Sequence, residues 1–216
     1  MMKRNLLLGI VLAVCSLGIV KGQTVSDSLA IVSAQWKIES PQKGIIHKYV
    51  SIPQLYQVPQ SISLIEIDPG AGLKVGVTVS DKMRETSRMA SEQGAIAAIN
   101  GSYFDMKRGN SVCFLKVDRQ VVDTTALGEF ARRAVSIRKG KMKIISWNRQ
   151  IEKQYKGKKG IVLASGPLML KDGRYCDWSL CEKDFIRTKH PRSAVALTKD
   201  GKILFITVDG RFPKHA

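Results

Sequence analysis

The segment at residues 94–105 constrains the fold more than any other part of the chain, because an apolar run ends there in a dense polar and aromatic group. Residues 94–99 carry no charge, which is typical of a strand buried on both faces, although a buried helical segment gives the same pattern. Asn100 and Gly101 then favour a turn, since both tolerate positive φ. A buried strand that delivers such residues is a common rigid base for a site, and a hairpin turn with two core aromatics is the structural alternative.

Two further apolar runs end in the same way. Residues 161–164 lead into Ser165-Gly166-Pro167, and residues 203–208 lead into Asp209-Gly210-Arg211, with Arg192 at the entry to the neighbouring apolar run. If these ends converge, they bring together a carboxylate, guanidinium groups, a carboxamide and aromatic rings. Arginine binds phosphate oxygens bidentately, asparagine bonds sugar hydroxyls, and an aromatic ring packs on a sugar face. The combination predicts a site for a sugar phosphate.

Hydrophobic periodicity predicts an α+β chain with a mixed, mostly antiparallel β-sheet core and a few helices. The clearest period-two pattern, at residues 73–79, predicts a half-exposed strand, and residues 80–93 predict a helix. Hairpins are expected around Asp118-Arg119 and around residues 139–141. Pro53 and Pro59 are expected to bracket a loop.

The first 22 residues have the features of a secretory signal peptide. Lys3 and Arg4 precede an apolar run at residues 6–20, which is too short for a comfortable membrane span. We expect cleavage after Gly22 and a secreted or periplasmic protein. Beyond the signal, we divide the chain into an N-terminal strand and loop region at residues 23–60 and a main domain at residues 61–216.

The chain is strongly basic, with a formal net charge of +17 from 35 Lys and Arg against 18 Asp and Glu. Removing the three positive charges of the signal peptide leaves +14. An exported chain of this charge is expected to meet phosphate-bearing glycans or anionic surfaces rather than nucleic acid. The alternative is that the lysines serve only solubility.

Several other chemistries do not fit the sequence. Neither a nucleophile elbow, a phosphate-binding P-loop nor a dinucleotide fingerprint occurs. The three histidines show no metal-ligand spacing: His47, His190 and His215. We therefore expect neither a metal nor a cofactor. Three cysteines follow the signal, and of these Cys176 and Cys181 could close a small loop in an oxidising compartment, although no disulfide framework is supported.

Four motifs in this order resemble those of the phosphodiester glycosidase domain family, which includes the domain of the mannose phosphate uncovering enzyme and those of secreted bacterial relatives. The motifs are GAIAAINGSYFD at 94–105, SGPL at 165–168, PRSAV at 191–195 and TVDGR at 207–211. The likeness covers roughly residues 64–211. It implies a hydrolase that removes a sugar, typically N-acetylglucosamine, from a sugar-phosphate diester by cleaving the bond between the anomeric carbon and oxygen.

Carried onto this chain, the resemblance implies three catalytic residues. We expect Asp209 to act as base or nucleophile, Arg192 to hold the phosphate and Asn100 to position the sugar. The residues expected to bind substrate are Gly101, Tyr103, Phe104, Ser165, Gly166, Gly210 and Arg211.

The sequence departs from the family pattern in two places. Ser193 stands where the family usually has threonine, which keeps the hydroxyl. Family members also continue past the Asp-Gly motif through a helix to a further strand, whereas this sequence stops at Ala216. We therefore expect a main domain that is truncated at its C-terminus. The alternatives to an enzyme are a non-catalytic binding module for phosphorylated or anionic glycans, and an inactive fragment.

Overall fold

A computed structural model describes residues 25–124, 132–155, 157–179 and 181–211. The predicted signal peptide and its cleavage site lie outside the described residues. The helices are α1 (Val25–Ser33), α2 (Thr86–Glu92), α3 (Arg149–Tyr155) and α4 (Lys183–Arg187). The strands are β1 (Lys37–Gln42), β2 (Ile45–Leu55), β3 (Val58–Ile67), β4 (Leu115–Val117), β5 (Gln120–Asp123), β6 (Arg133–Arg138), β7 (Lys141–Ser146), β8 (Ile161–Ser165), β9 (Leu170–Lys171), β10 (Arg174–Tyr175), β11 (Arg192–Leu197) and β12 (Ile203–Val208).

These strands form two five-stranded sheets and one short hairpin, and the pairs between named strands are antiparallel. The first sheet has the order β1-β2-β3-β12-β11, and the second has the order β5-β4-β8-β6-β7. The first sheet therefore joins the N-terminal strands to the last two strands of the described chain. The predicted α+β, strand-rich and mostly antiparallel fold class is confirmed.

The β2–β3 hairpin corrects the expectation of a loop between Pro53 and Pro59. Tyr56 and Gln57 form the turn with φ values of 53° and 68°, and both prolines lie inside the strands. The ladder is irregular between Ile52 and Leu55. A strand tolerates proline at such an irregularity because the missing N–H removes no ladder bond there.

One face of the first sheet is covered by α1. The buried side chains on this face are Val50, Ile52, Leu55 and Ile62. Ala30, Ile31, Ala34 and Trp36 pack against them. Because strand side chains alternate between faces, the odd-numbered residues of β2, from His47 to Ser51, lie on the opposite face.

The second sheet has its own core on the side of α3. It contains Cys113, Phe114, Ala134, Trp147, Val162 and Ala164. The Trp147 ring packs 5.2 Å from the Phe114 ring and 5.3 Å from the Tyr155 ring of α3, measured between centroids. This core supports β8, which delivers Ser165 to the candidate site.

Two segments predicted as strands pair with no strand in the described part of the chain, so these predictions are wrong. Residues 73–79 lie outside the named strands, and their burial alternates only as far as Thr78, since Val79 is 42% exposed. Residues 95–100 follow the end of α2 without forming a strand. Ile96 is 54% exposed. Periodicity predicts which side chains face inward, but a strand also needs a partner backbone, which local sequence does not encode. The predicted helix at residues 80–93 is shorter than expected, since α2 begins at Thr86.

Candidate functional site

The first and third motifs meet through a hydrogen bond between side chains. Ser193 Oγ, on β11, donates to Asn100 Oδ1 over 2.6 Å. The two residues are 93 positions apart in the chain. This bond fixes the carboxamide oxygen and leaves the amide N–H₂ as the donor group that Asn100 can offer to a ligand.

The first and second motifs meet where Tyr103 packs against Gly166. A Cβ atom placed on Gly166 would lie 2.3 Å from the Tyr103 hydroxyl oxygen. Burial raises the pKa of Tyr103 to about 12, so the phenol keeps its proton at neutral pH. Gly101 lies against the same strand, because a Cβ there would come within 2.7 Å of a Leu163 methyl group. A small residue is therefore needed at position 166 beside the phenol, whereas at position 101 the Leu163 side chain could turn aside.

We expect Gly166→Ala to move Tyr103 out of its present position, because the added methyl group and the phenol cannot both occupy this space. The expected cost is about 1–3 kcal/mol in the free energy of unfolding, as for other overpacked sites. Chemical denaturation measures it. The double variant Gly166→Ala/Tyr103→Phe removes the hydroxyl that collides and should recover part of the loss, whereas equal stability of wild type and Gly166→Ala would contradict the packing described here.

The third and fourth motifs meet along β11 and β12. Arg192 pairs with Val208, and Ser193 pairs with Thr207. Beyond the ladder, a Cβ on Gly210 would lie 2.2 Å from the His190 carbonyl carbon and 2.3 Å from Pro191 N. These neighbours are backbone atoms and cannot rotate away, so this approach of the two motifs requires glycine.

Arg192 is held by the end of α4. Its Nη2 donates to the carbonyl oxygens of Phe185 and Thr188. The guanidinium carbon lies 4.5 Å from the centroid of the Phe185 ring, a cation–π arrangement. The Phe185 ring in turn meets Tyr103 edge-on, with 6.0 Å between centroids. The guanidinium thus has a fixed position, with Nη1 and Nε as the groups that could meet an anion.

The predicted catalytic residues approach β11 and β12 from two faces. Because adjacent strand side chains alternate, Arg192 and Ser193 leave β11 on opposite faces. Asn100 lies on the Ser193 face through its bond to Ser193. Asp209 lies two residues after Thr207, so its side chain leaves the chain on the same face. Its backbone N–H donates to Ser61 O over 3.1 Å. Asn100 and Asp209 are therefore on one face of the first sheet, and Arg192 leaves β11 on the other.

A network of hydroxyls supports the turn after Asn100. Ser102 has a φ of 67°, and its hydroxyl bonds that of Ser111, which donates to Cys113 O over 2.8 Å. Phe104 forms a bridge with Ser111 and is 47% exposed. The Asp105 carboxylate accepts from Lys107 N and Arg108 N, and these bonds lower its pKa. Asp105 is therefore a turn residue, while the Phe104 ring remains accessible.

The last motif ends in Arg211. Its φ is 58° and its backbone N–H donates to Lys189 O over 2.7 Å. The side chain is exposed. This bond ties the end of the fourth motif to the segment that leads into the third.

Sequence reasoning missed two residues of this region. Phe185 lies outside the four motifs, and no local pattern indicates that its ring would lie against Arg192. Tyr49 belongs to the N-terminal strands and falls outside the four motifs. Hydrogen bonds with Ser51 and Ser61 lower the pKa of Tyr49, and the nearby Asp209 carboxylate opposes this change. Tyr49 and Asp209 are both hydrogen-bonded to Ser61, through its hydroxyl and its carbonyl oxygen respectively, an arrangement that the pairing of β2, β3 and β12 creates.

The described part of the chain offers little for other kinds of site. There, no three His, Cys, Asp or Glu side chains come together as a metal site would need. Cys113, Cys176 and Cys181 are free thiols, so the small loop that Cys176 and Cys181 could close is not bonded. Among the helices that the structure describes, none is long and apolar enough to cross a bilayer.

Comparison with known proteins defines the class to which this fold and site belong. A family profile described as phosphodiester glycosidase matches residues 93–216, more than half of the chain and a range that includes all four motifs. The chain belongs to the phosphodiester glycosidase family. The predicted resemblance is confirmed, and at the level of the family the protein is a glycosidase-type hydrolase. A search of curated proteins gave no match.

Proposed function

We propose that the protein is a secreted hydrolase that removes a sugar resembling N-acetylglucosamine from a sugar-phosphate diester by cleavage at the anomeric carbon. The observation that carries this proposal is the mutual contact of the four motifs. Ser193 bonds Asn100, Tyr103 packs under Gly166, and Gly210 lies on the His190–Pro191 backbone. Segments that the sequence separates by about half its length thus meet at the ends of β11 and β12, with Asn100 and Asp209 on one face of the first sheet and Arg192 on the other.

In the proposed reaction, water attacks the anomeric carbon and the bond from that carbon to the phosphate oxygen breaks. The water oxygen becomes the new sugar hydroxyl, and its proton passes to the Asp209 carboxylate. The leaving group is a phosphate monoester, which departs far more easily than a sugar alkoxide, so a strong general acid is less necessary than in ordinary glycoside hydrolysis. Asp209 is assigned the role of base because it follows β12 on the face of the sheet that also carries Asn100.

Arg192 and Asn100 are assigned to binding and orientation. The Arg192 guanidinium is fixed by the Phe185 ring and two carbonyls. Such a fixed cation stabilises the charge that develops on the departing phosphate. Asn100, with its oxygen bound to Ser193, offers its N–H₂ group to a sugar hydroxyl or an N-acetyl oxygen. Tyr103, Phe104, Gly166 and Arg211 complete the proposed substrate surface.

Secretion or export to the periplasm is part of the proposal. It is supported by the basic and apolar pattern of the first 22 residues and by the excess of positive charge, which suits phosphorylated glycans outside the cell.

A second function, binding without hydrolysis, is favoured by one feature of the site. Asn100 and Asp209 are exposed to solvent, whereas catalysis usually gains from excluding water. Calorimetric titration with the methyl diester of N-acetylglucosamine 1-phosphate, run beside an assay for released sugar, separates the two functions. Heat of binding with sugar release supports the hydrolase. Binding without release supports the module, and the absence of both rejects the proposed ligand class.

A further inference from the structure

One stretch of the chain carries most of its excess positive charge. Residues 132–159 hold eleven Lys and Arg against one Glu, so they supply ten of the 17 net positive charges. The one acid, Glu152, is buried in α3. Eight of the cations are exposed to solvent. We call these eight residues the basic face: Arg138, Lys139, Lys141, Lys143, Arg149, Lys153, Lys158 and Lys159.

The hairpin of β6 and β7 places its cations on the side of the second sheet that α3 covers. Ile145 of β7 packs into the core on that side. Because strand side chains alternate, Lys143 and Lys141, which precede Ile145 by two and four residues, lie on the same side. Arg138 pairs with Lys141 and therefore shares its side. Lys139 occupies the turn between the two strands.

The loop after α3 lies on the same side of the sheet. The buried ammonium group of Lys116 donates to the carbonyl oxygens of Lys158 and Gly160. A Cβ atom on Gly160 would lie 3.5 Å from the Cβ of Arg138. The loop is thus fixed against the end of the β6–β7 hairpin, where its exposed lysines extend the basic face.

The cations of the basic face form no ion pairs in the described part of the chain, whereas Lys37, Lys48 and Lys202 of the first sheet each pair with a glutamate. Arg149 and Lys153 are four residues apart on α3, so they are neighbours on its surface. Like charges at this spacing repel each other and destabilise the free protein. An anionic partner that lies against the face removes this cost.

The residue types of the basic face indicate a broad anionic surface as the partner. Six of the eight cations are lysines, whose ammonium groups act as hydrated point charges, whereas a site for one phosphate group favours the arginine fork. A single-stranded nucleic acid needs rings on which its bases stack. Here Trp147 is buried, and the Nζ of Lys158 lies over the half-buried Tyr155 ring, 5.0 Å from its centroid.

We propose that the basic face docks the protein on an anionic lipid bilayer. The cations are spread over a hairpin, a helix and a loop, which suits a flat charged surface better than a single line of charge would. β8 begins at Ile161, beside the basic face, and ends at Ser165 in the candidate site, four residue steps of about 3.3 Å away. The two regions therefore lie toward opposite ends of β8, and a docked protein keeps its candidate site accessible. This inference does not depend on the proposed function.

The test is sedimentation of the full chain with vesicles. One set of vesicles is phosphatidylcholine alone, and the other contains phosphatidylglycerol in addition. The wild type should bind the anionic vesicles far more tightly than the neutral ones. Raising the salt from about 0.05 M to about 0.5 M should remove this difference, because the Debye length then shrinks to a few Å. The neutral vesicles report any binding by the apolar residues near the N-terminus.

Two variants with the same net charge separate the basic face from a general effect of charge. The first removes four exposed lysines of the face: Lys141→Gln, Lys143→Gln, Lys153→Gln and Lys159→Gln. It should weaken binding to the anionic vesicles by about 100-fold or more, since each lysine near such a surface contributes roughly fivefold. The matched control removes four exposed lysines elsewhere: Lys43→Gln, Lys74→Gln, Lys82→Gln and Lys199→Gln. It should bind within about threefold of the wild type, because charges beyond a Debye length are screened.

Near-ultraviolet circular dichroism verifies that both variants are folded. Equal losses of binding in the two variants would show that only net charge matters and would overturn the inference. Equal binding of the wild type to neutral and anionic vesicles at low salt would also overturn it. Binding to duplex DNA without binding to anionic vesicles would assign the basic face to a nucleic acid and reject the bilayer as its partner.

Discussion

Replacing Asp209 with Asn is expected to lower kcat for sugar release from the phosphodiester by about 10²–10⁴-fold, the range typical of a lost general acid or base. Asparagine keeps the shape of aspartate, so the backbone bond from residue 209 to Ser61 can remain. What disappears is the carboxylate that accepts a proton from the attacking water. Because this role is exercised in the transition state, KM should change much less than kcat.

The control for this result is Asp200→Asn. Asp200 is an exposed aspartate in the turn between β11 and β12, where its carboxylate lies 3.6 Å from Lys202 Nζ. Both substitutions remove one negative charge near the same strands, and near-ultraviolet circular dichroism verifies that each variant is folded. Asp200→Asn should retain wild-type turnover. If Asp209→Asn also does, Asp209 has no part in the chemistry.

Replacing Lys116 with Met is expected to lower the free energy of unfolding by about 1.5–3 kcal/mol, the range for hydrogen bonds made by a charged group. Lys116 is fully buried, with a relative exposure of 0%. Its Nζ donates to the carbonyl oxygens of Asp118, Lys158 and Gly160, the last two over 2.6 Å. Methionine fills a similar space but donates nothing, so all three carbonyl oxygens lose a charged donor.

Urea denaturation followed by tryptophan fluorescence measures this loss, since Trp147 is buried in the core of the same sheet. Lys143→Met is the matched control, because Lys143 is an exposed residue of β7 in that sheet. Its effect should stay within about 0.5 kcal/mol, as for ordinary surface substitutions. Similar midpoints for the two variants would contradict a stabilising role for the buried ammonium group.

The sequence predicted the hairpins of the second sheet because each combines local alternation with a turn. Asp118 and Lys139 have the positive φ that such turns require, and the strands beside them pair as expected. The sequence could not predict the order of the strands. That β3 lies beside β12, more than 130 residues away, depends on which apolar faces pack together, and periodicity does not record this.

The candidate site was likewise predictable only in its local motifs and not in its tertiary contacts. Asn100 and Ser193 could be selected from the motifs, but their hydrogen bond depends on tertiary structure. The expectation that residues 94–99 form a buried strand is wrong because an uncharged run indicates only a preference for burial, and Ile96 remains exposed. Phe185 and Tyr49 have no motif of their own. They contribute through an aromatic contact and a strand register that only the folded chain creates.

The central claim, that this chain cleaves the bond at the anomeric carbon, is tested most directly by hydrolysis in ¹⁸O-labelled water. The methyl diester of N-acetylglucosamine 1-phosphate is incubated with the full chain, and the masses of the products are measured by mass spectrometry. Attack of water at carbon puts the label in the released sugar and leaves methyl phosphate unlabelled. Label in methyl phosphate or in sugar phosphate would show attack at phosphorus and would contradict the account.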